Sequence, residues 1–527
     1  DLDRIMEIVM RAIDRVPAAA EAWVKRVING PMIWSPDSNA LFGPVPELRN
    51  YFCCNGIIPG FSQSGGLGLL AAQWMIEGEP EWDMFAWDLA RFGDWADKAF
   101  TKARVRDQYM HRFKIHFPNE ERAAGRPAMM RPAYEMQRGM GAVFGLNAGW
   151  EHPLWFADAP GTEDTNGFAR QNWFEPVGRE AAMLRDAVGV IDISNFGKYE
   201  VTGPGAGDWL DALVANHVPR QIGKSCLTPL IGMRGGVAGD FTITMTGDES
   251  YMMIGSGMAE RYHRRFFNRV PLPDSTGFEV ATPRIAGFNV AGPRSRKMLA
   301  GLTDADLSNE GWRFMRSRRI AVGGVDCLAI RVSFTGDLGW ELHCAVDDQV
   351  ALYEILLEAA AAHGGGPVGG RALGALRIEK GYGSWGREYS PEYWPQEAGL
   401  HGLIKLDKDF LNKEAYLKIS NTPPRESLTM FEVDVTDNAD ANGGEPIFLA
   451  DGTPVGRVTS GSYGYTVGKS LAIGYAREGV VRAGDRVEIF ILGKPHAATV
   501  LDKPPFDAGG ERPVSYTHLT LPTKVTG

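Results

Sequence analysis

Val201-Thr-Gly-Pro204 is followed five residues later by Leu210-Asp-Ala-Leu213, and Val290-Ala-Gly-Pro293 is followed at the same interval by Leu299-Ala-Gly-Leu302. Each copy reads as a strand, a Gly-Pro turn and a helix whose two leucines, three positions apart, share one face. Two such units in one chain predict a duplicated α+β core. The competing reading is coincidence among common residues.

Working outward, residues 179–420 carry this core as short strands and helices. From 421 to 510 the pattern turns to alternation, as in Thr429-Met-Phe-Glu-Val-Asp-Val435 and Arg486-Val-Glu-Ile-Phe-Ile491, between glycine-rich turns. That predicts an all-β end domain. Residues 511–527 show no continuous pattern and are expected to be a disordered or artefactual tail. Upstream, residues 106–178 are aromatic and proline-rich and read as an ordered connector. Residues 1–105 read as mixed α/β. They hold an amphipathic helix (Leu2 to Val16), a short strand at Tyr51–Gly56, and a buried helix over Leu69–Ile76 that ends at Gly78. The chain opens on Asp1, inside that first helix. It is expected to be a piece of a longer protein, so a missing leader carries no information.

Composition narrows the function classes. Apolar residues make up 44% and charged residues 23% of the 527, as in a globular protein. The 64 glycines and 32 prolines point to many turns. A net charge of -10 argues against a broad nucleic-acid surface. Five cysteines without a C-x-x-C pair read as reduced thiols of a cytoplasm or organelle matrix. No H-E-x-x-H or Cys/His cluster is present, so no metal site is expected. No G-x-S-x-G elbow suggests a serine hydrolase. No apolar run reaches the ~18 residues of a membrane span.

Several motifs are weighed singly. Gly381-Tyr-Gly-Ser-Trp-Gly386 matches a dinucleotide fingerprint in letters but follows a helix, which is the wrong context. Gly66-Leu-Gly68 follows a strand and opens a helix, where a ligand could approach the backbone; a plain strand-helix turn fits equally. Met233-Arg-Gly-Gly-Val-Ala-Gly-Asp240 presents Asp240 after a glycine turn at the start of a strand, either toward a cleft or as a turn residue. Ser333-Phe-Thr-Gly-Asp-Leu-Gly-Trp-Glu-Leu342 offers Asp337 and Glu341, Leu376-Arg-Ile-Glu379 offers Arg377, and Pro395-Gln-Glu-Ala-Gly-Leu400 adds a carboxylate. Together, acids, one arginine and aromatics would suit a nitrogen-rich ring with an amide edge. Two basic stretches, His263–Arg269 and Arg313–Arg319, read as solvated faces ahead of a seat for an anionic tail.

In this order the segments resemble the dimethylglycine dehydrogenase / sarcosine dehydrogenase family. That family joins a flavin-dependent amine oxidase module to a folate-binding module like the aminomethyltransferase (T-protein) of the glycine cleavage system. The resemblance runs from about residue 1 to 510. It rests on Gly65-Gly-Leu-Gly68, Trp74-Met-Ile-Glu-Gly-Glu-Pro80, Asp88-Leu-Ala-Arg-Phe92, Glu121-Arg-Ala-Ala-Gly-Arg-Pro127 and Trp173-Phe-Glu-Pro-Val-Gly178. It rests further on Asp192-Ile-Ser-Asn-Phe-Gly-Lys198, Gly235-Gly-Val-Ala-Gly-Asp240, Thr335-Gly-Asp-Leu-Gly-Trp-Glu341 and Glu397-Ala-Gly-Leu400.

The resemblance implies an α+β multidomain fold. Residues 1–105 would be the C-terminal remnant of an FAD-dependent, D-amino-acid-oxidase-like α/β domain. A T-protein-like folate module would follow, ending in a β-barrel-like domain. It implies that Gly60, Phe61, Ser62, Gln63, Ser64, Gly65 and Gly66 form a loop along the flavin, and that Asp240 is the catalytic acid. Gly255 and Ser256 would lie against the folate. Phe334, Asp337, Glu341, Leu342, His343 and Arg377 would surround the pterin. Phe334 and Asp337 stand where the family often has tyrosine and glutamate, and Gly402 stands where close relatives have a tyrosine.

The implied activity is FAD-dependent oxidative demethylation of dimethylglycine or sarcosine, its one-carbon unit passing to tetrahydrofolate. An electron acceptor is a further implied partner, and the implied location is the cytoplasm, or the mitochondrial matrix in a eukaryote. The chain taken alone is expected not to hold FAD stably. Two alternatives stay open: a flavin-independent tetrahydrofolate-dependent aminomethyl- or methyltransferase, and a folate-binding regulatory subunit.

Overall fold

The computed structural model describes residues 3–514. The tail expected from residue 511 therefore lies outside the described residues, apart from a short helix at Glu511–Val514.

The repeated units fold alike. In the first, strand Gly197–Thr202 turns into helix Ala206–Leu213. A meander follows (Ser225–Ile231, Val237–Gly247, Ser250–Gly255), and its last strand returns beside the first. Helix Glu260–Phe267 then leads to strand Gly277–Val280, on the other side of Gly197–Thr202. In the second unit, strand Ile285–Ala291 turns into helix Ser295–Leu299. Its meander is Arg316–Val322, Val325–Arg331 and Gly339–Ala345, again returning beside the first strand. Helix Gln349–Ala362 and strand Gly366–Val368 close it. Here strand Gly189–Asp192 is inserted between the first and closing strands. The shared topology makes the echo a true duplication.

The Gly-Pro turns have one physical cause. Gly203 and Gly292 both have positive φ, and a Cβ at either would run into a backbone carbonyl, Ser275 or Leu184.

Helices cover the outer face of each sheet. Trp209, Leu210, Leu213, Phe266 and Phe267 bury against Phe241 and Ile243 of the first sheet. Leu352, Tyr353 and Leu356 bury against Phe288, Val290 and Leu342 of the second. Six strands between Glu426 and Leu501 then close into a barrel around Phe431, Ile447, Ala472 and Ile489. The connector is ordered: its hairpin, Ala142–Asn147 with Trp150–Phe156, buries Trp155 against Val177, Val368 and Leu376.

At the front, a hairpin of Leu41–Pro44 and Phe52–Asn55 packs on Leu67, Leu70 and Trp74 of helix Gly60–Glu77. This corrects one expectation: residues 60–66 form the first two turns of the helix, so they are not a loop before it. Glycine disfavours a helix by about 1 kcal/mol per residue, so the sequence alone argues for a later start. The glycines sit where nothing lies within 4 Å of an added Cβ, and Phe61 is fully exposed. Gly78 ends the helix in the left-handed region. No helix among the described residues is long and apolar enough to cross a membrane, and none of their acidic, His and Cys side chains group as a metal site.

Candidate functional site

Side chains alternate along a strand, so pairing register decides which of them face the space between the two sheets. In strand Val237–Gly247, Phe241 and Ile243 enter the first unit's core, so Asp240 and Thr242 point the other way. Thr242 pairs with Ile254 and Thr244 with Met252. Ile254 and Met252 pack on Leu328 and Ile330 of the second sheet. Asp240 thus lies on the face that looks across to that sheet. Lys198, paired with Ile254, lies there too.

The facing wall follows by the same rule. Ile330 pairs with Glu341, Leu328 with His343, and Asn289 with Glu341. Asn289, Glu341 and His343 therefore share the face carrying Leu328 and Ile330. Leu342 falls on the opposite face, fully buried with Phe288 and Ala329. Of three consecutive residues expected around the ligand, Glu341 and His343 reach the cleft and Leu342 packs the core behind it.

This cleft is polar and under-satisfied. The Asp240 carboxyl is surrounded by protein, and burial raises its pKa to about 6, with its own backbone amide opposing the rise. His343 is 3% exposed, with neither ring nitrogen hydrogen-bonded, although Glu341 Oε2 lies 3.4 Å from its Nε2. Burial lowers its pKa and favours the neutral ring. Asn289 is 5% exposed, and its Oδ1 has no partner. Buried polar atoms without partners are rare in native proteins because each costs desolvation. Several converging on one cleft mark a place for a hydrogen-bonding ligand.

Lys198 serves a different end. It is fully buried and donates from Nζ to the carbonyls of Ile193, Ser194 and Phe196 at 3.1–3.2 Å, with its pKa lowered to about 7 chiefly by burial. Its donors are spent on shaping the loop at the cleft rim. Arg131 donates to the Ser194 carbonyl of the same loop and to the Thr282 carbonyl beyond strand Gly277–Val280, and lies 3.8 Å over the Trp150 ring.

The other expected residues divide. Gly255 lets its strand pass beside the acid: an added Cβ would sit 2.6 Å from the Phe241 ring and 3.3 Å from the Asp240 carbonyl. Ser256 follows it, half-buried, at the start of a short turn. Phe334 stacks on Tyr382 with ring centres 6.3 Å apart. Asp337 and Arg377 are not free to meet a ligand. Asp337 is 1% exposed, with its oxygens taken by Arg185 and Arg512. Arg377 donates to Tyr382, Glu388 and Ser460. The carboxylate at Glu397 is likewise held by Arg425 and the Trp394 amide. Residues 60–66 lie on the front helix and on neither facing sheet. A surface hollow of about 520 Å³ lined by residues 300–305, Ile320, Ala321 and Gly324 holds one charged side chain, Asp304, and no comparable chemistry.

Asn289 and Lys198 were not singled out as site residues from sequence. Each carried a signal: Asn289 is the one amide within the apolar strand Ile285–Ala291, and Lys198 ends a quoted segment.

Residues 133–408 match the GCVT N-terminal domain, residues 427–507 the glycine cleavage T-protein C-terminal barrel domain, and residues 77–130 the FAD dependent oxidoreductase central domain. The chain is 35% identical over 510 residues to the mitochondrial dimethylglycine dehydrogenase of Mus musculus, covering 96% of this chain and 58% of that protein. It is 32% identical over 513 residues to 4-methylaminobutanoate oxidase (formaldehyde-forming) of Paenarthrobacter nicotinovorans, covering 94% of this chain and 61% of that one. The crystal structure of the glycine cleavage system aminomethyltransferase T from Bartonella henselae superposes with a TM-score of 0.62 at 23% identity, over 72% of this chain and 98% of that one, and shows the shared fold. The chain spans about three fifths of the length of the two curated relatives.

Proposed function

Because the chain belongs to the glycine cleavage T-protein family, also matches the FAD dependent oxidoreductase central domain, and is similar to dimethylglycine and sarcosine dehydrogenases, we propose that its parent activity is oxidative N-demethylation of an N-methylated glycine, with the one-carbon unit passed to tetrahydrofolate in the cleft between the sheets. The observation that carries this reading is the polar cleft itself, in which Asn289 Oδ1 and both His343 ring nitrogens have no hydrogen-bond partner. Asp240 stands on one wall, and Asn289 Oδ1 with Glu341 on the other.

These residues fit a reduced pterin. Its N–H-rich edge would be met by Asn289 and Glu341, and Asp240 would face nitrogen that gains positive charge. When bound, FAD would supply the hydride acceptor for oxidation of the N-methyl group, and tetrahydrofolate the acceptor for the one-carbon unit. A carboxyl with a pKa of about 6 can hold or release a proton near neutral pH, the property wanted of a general acid–base. Gly255 keeps the neighbouring strand close to that acid, and Lys198 keeps the rim loop in place. If the exposed N-terminal turns of helix Gly60–Glu77 lie along the flavin, as the resemblance implies, the positive end of the helix dipole would stabilise negative charge on a reduced ring.

We divide the chain into an oxidoreductase portion to about residue 105, a connector to 178, the folate module to 420 and the barrel to 510. An electron acceptor completes the scheme. We place the protein in the cytoplasm, or in the mitochondrial matrix if the source is a eukaryote; the relatives that are mitochondrial support the second.

A second reading is a flavin-independent aminomethyl- or methyltransferase. It is favoured by one fact: both walls of the cleft lie within residues 133–408. The test common to both is calorimetric titration of the chain with tetrahydrofolate. Saturable binding near one per chain supports the cleft, and folded protein that takes up none overturns both readings. Turnover of dimethylglycine or sarcosine by the full-length parent, giving 5,10-methylenetetrahydrofolate, then separates them; release of formaldehyde alone, even with folate present, would argue against transfer.

The unsatisfied amide gives a sharper expectation. Asn289→Leu should weaken tetrahydrofolate about 5- to 30-fold while leaving thermal stability equal or higher, since a buried acceptor without a partner costs about 1–3 kcal/mol. A joint measurement of affinity and melting temperature checks both signs. Unchanged affinity would remove Asn289 from the site.

A further inference from the structure

Three residues separate Asp240 from a turn whose fixing points lie largely outside itself. Residues 232–236 are Gly-Met-Arg-Gly-Gly, and no side chain of the turn holds it internally. Its own bonds are Gly232 N–H to the Gly236 carbonyl and Gly235 N–H to the Gly232 carbonyl. Beyond it the ladder to the neighbouring strand is irregular, since pairing slips between Leu230–Gly239 and Ile231–Val237. The end of the strand carrying Asp240 is therefore not set by regular pairing.

What grips the turn is Glu79. Its Oε2 accepts the Met233 amide at 2.6 Å and the Arg234 amide at 3.3 Å. Met233 also covers Gly78, where an added Cβ would lie 2.7 Å from its sulfur. Arg269 donates to the Gly78 carbonyl at 3.2 Å, and the Arg234 guanidinium reaches Glu77. Gly232 leaves room for the carboxylate, since a Cβ there would sit 3.1 Å from Glu79 Oε2. Gly236 is pressed on the Pro391 carbonyl, and the Val237 amide donates to the Tyr393 carbonyl. Past the turn the strand is stiffly held: Val237 and Ala238 are buried, and Trp385 Nε1 donates to the Ala238 carbonyl at 2.9 Å. Displacement of the turn would pass along extended backbone, about 3.3 Å per residue, to the acid.

Glu79 belongs to the residues that match the oxidoreductase central domain, directly after helix Gly60–Glu77, whereas the turn and Asp240 belong to the residues that match the GCVT N-terminal domain. We infer that Glu79 is a positioning residue which ties the C-terminal end of helix Gly60–Glu77 to the strand bearing Asp240, so that the oxidoreductase part of the chain sets the placement of the folate-side acid. The inference rests on the folate reading for its functional consequence, but the mechanical link can be measured without folate.

The experiment compares the full chain with Glu79→Ala, Glu79→Gln and Gly232→Ala by hydrogen exchange of residues 233–241 without ligand and by tetrahydrofolate titration. Glutamine keeps an oxygen for both amides, while alanine at 232 pushes on the carboxylate from the other side. Glu79→Ala and Gly232→Ala are expected to speed exchange locally and to weaken tetrahydrofolate about tenfold at unchanged stoichiometry, within the usual range of coupling between linked sites. Glu79→Gln is expected to stay near wild type in both. Exchange and affinity unchanged in Glu79→Ala would overturn the inference. So would exchange rising across the whole chain with no rescue by glutamine, which marks a folding role only. If the wild-type chain binds no tetrahydrofolate, the folate reading fails, and the exchange comparison still decides whether Glu79 holds the strand.

Discussion

Asp240→Ala is expected to lower one-carbon transfer to tetrahydrofolate in the full-length parent by about 10²- to 10⁴-fold, the usual contribution of a positioned general acid–base. Hydride removal from the amine should be little changed, because Asp240 lies on the face between the two sheets, whereas the N-terminal turns of helix Gly60–Glu77 lie on neither sheet. Single-turnover assays following flavin reduction and folate product separately would show the split. Equal loss in both steps, or loss in neither, would contradict the role given to this carboxyl.

Its isostere adds a stability signature of the same group. Burial lifts the Asp240 pKa from 3.8 to about 6, so between these values the folded chain holds more protons than the unfolded one. Stability should then fall as pH rises from about 4 to 6 and level off above, by up to about 3 kcal/mol at 1.36 kcal/mol per unit. Asp240→Asn removes this dependence. The variant should melt higher than wild type at pH 7 and alike at pH 4, while its transfer activity stays low. Gain of stability with loss of function is the usual sign of a strained site group.

Arg185→Ala should produce the largest loss of stability, about 3–5 kcal/mol, because it strands buried carboxylates. Arg185 donates to the Thr335 carbonyl at 2.7 Å, to Asp337, to Glu379 at 2.9 Å and to Thr466 Oγ1 at 3.1 Å. Its guanidinium lies 3.6 Å over the Phe506 ring. Glu379 also accepts the Thr466 amide, and Arg512 closes the network from the far end of the chain through Asp337 at 2.6 Å. One guanidinium thus joins the two-sheet core, a barrel loop and the C-terminal segment. Denaturant unfolding followed at the barrel would register the loss, with apolar replacement of Arg185, Asp337 and Glu379 together recovering much of it. A midpoint unmoved in Arg185→Ala would mean that the network is not what holds the barrel to the core.

The Val-x-Gly-Pro echo was legible because it is local: positive φ at Gly203 and Gly292 and a Leu pair on one helix face are demands on neighbouring residues. The same holds for the alternation of the barrel strands, for the helix stop at Gly78, and for Asp240 as a carboxyl after a glycine turn. Their periods are written in the chain. The helix start at Gly60 was not legible, since glycine propensity argues against it and the packing of Leu67, Leu70 and Trp74 on a distant hairpin supplies the opposing term.

The difference is sharpest within the site. Sequence order placed Glu341, Leu342 and His343 together, and strand alternation sent the middle one to the opposite face. Asp337 and Arg377 read as free ligands until partners 152 and 11 residues away took their charges. By itself the sequence determined the duplicated core, the barrel and the family. Only the tertiary structure decided which polar atoms stay unpaired in the cleft and that Glu79 reaches the turn before Asp240. Periodicity records a residue's demands on its neighbours, whereas a hydrogen-bond partner is chosen by whatever the fold brings within 3 Å.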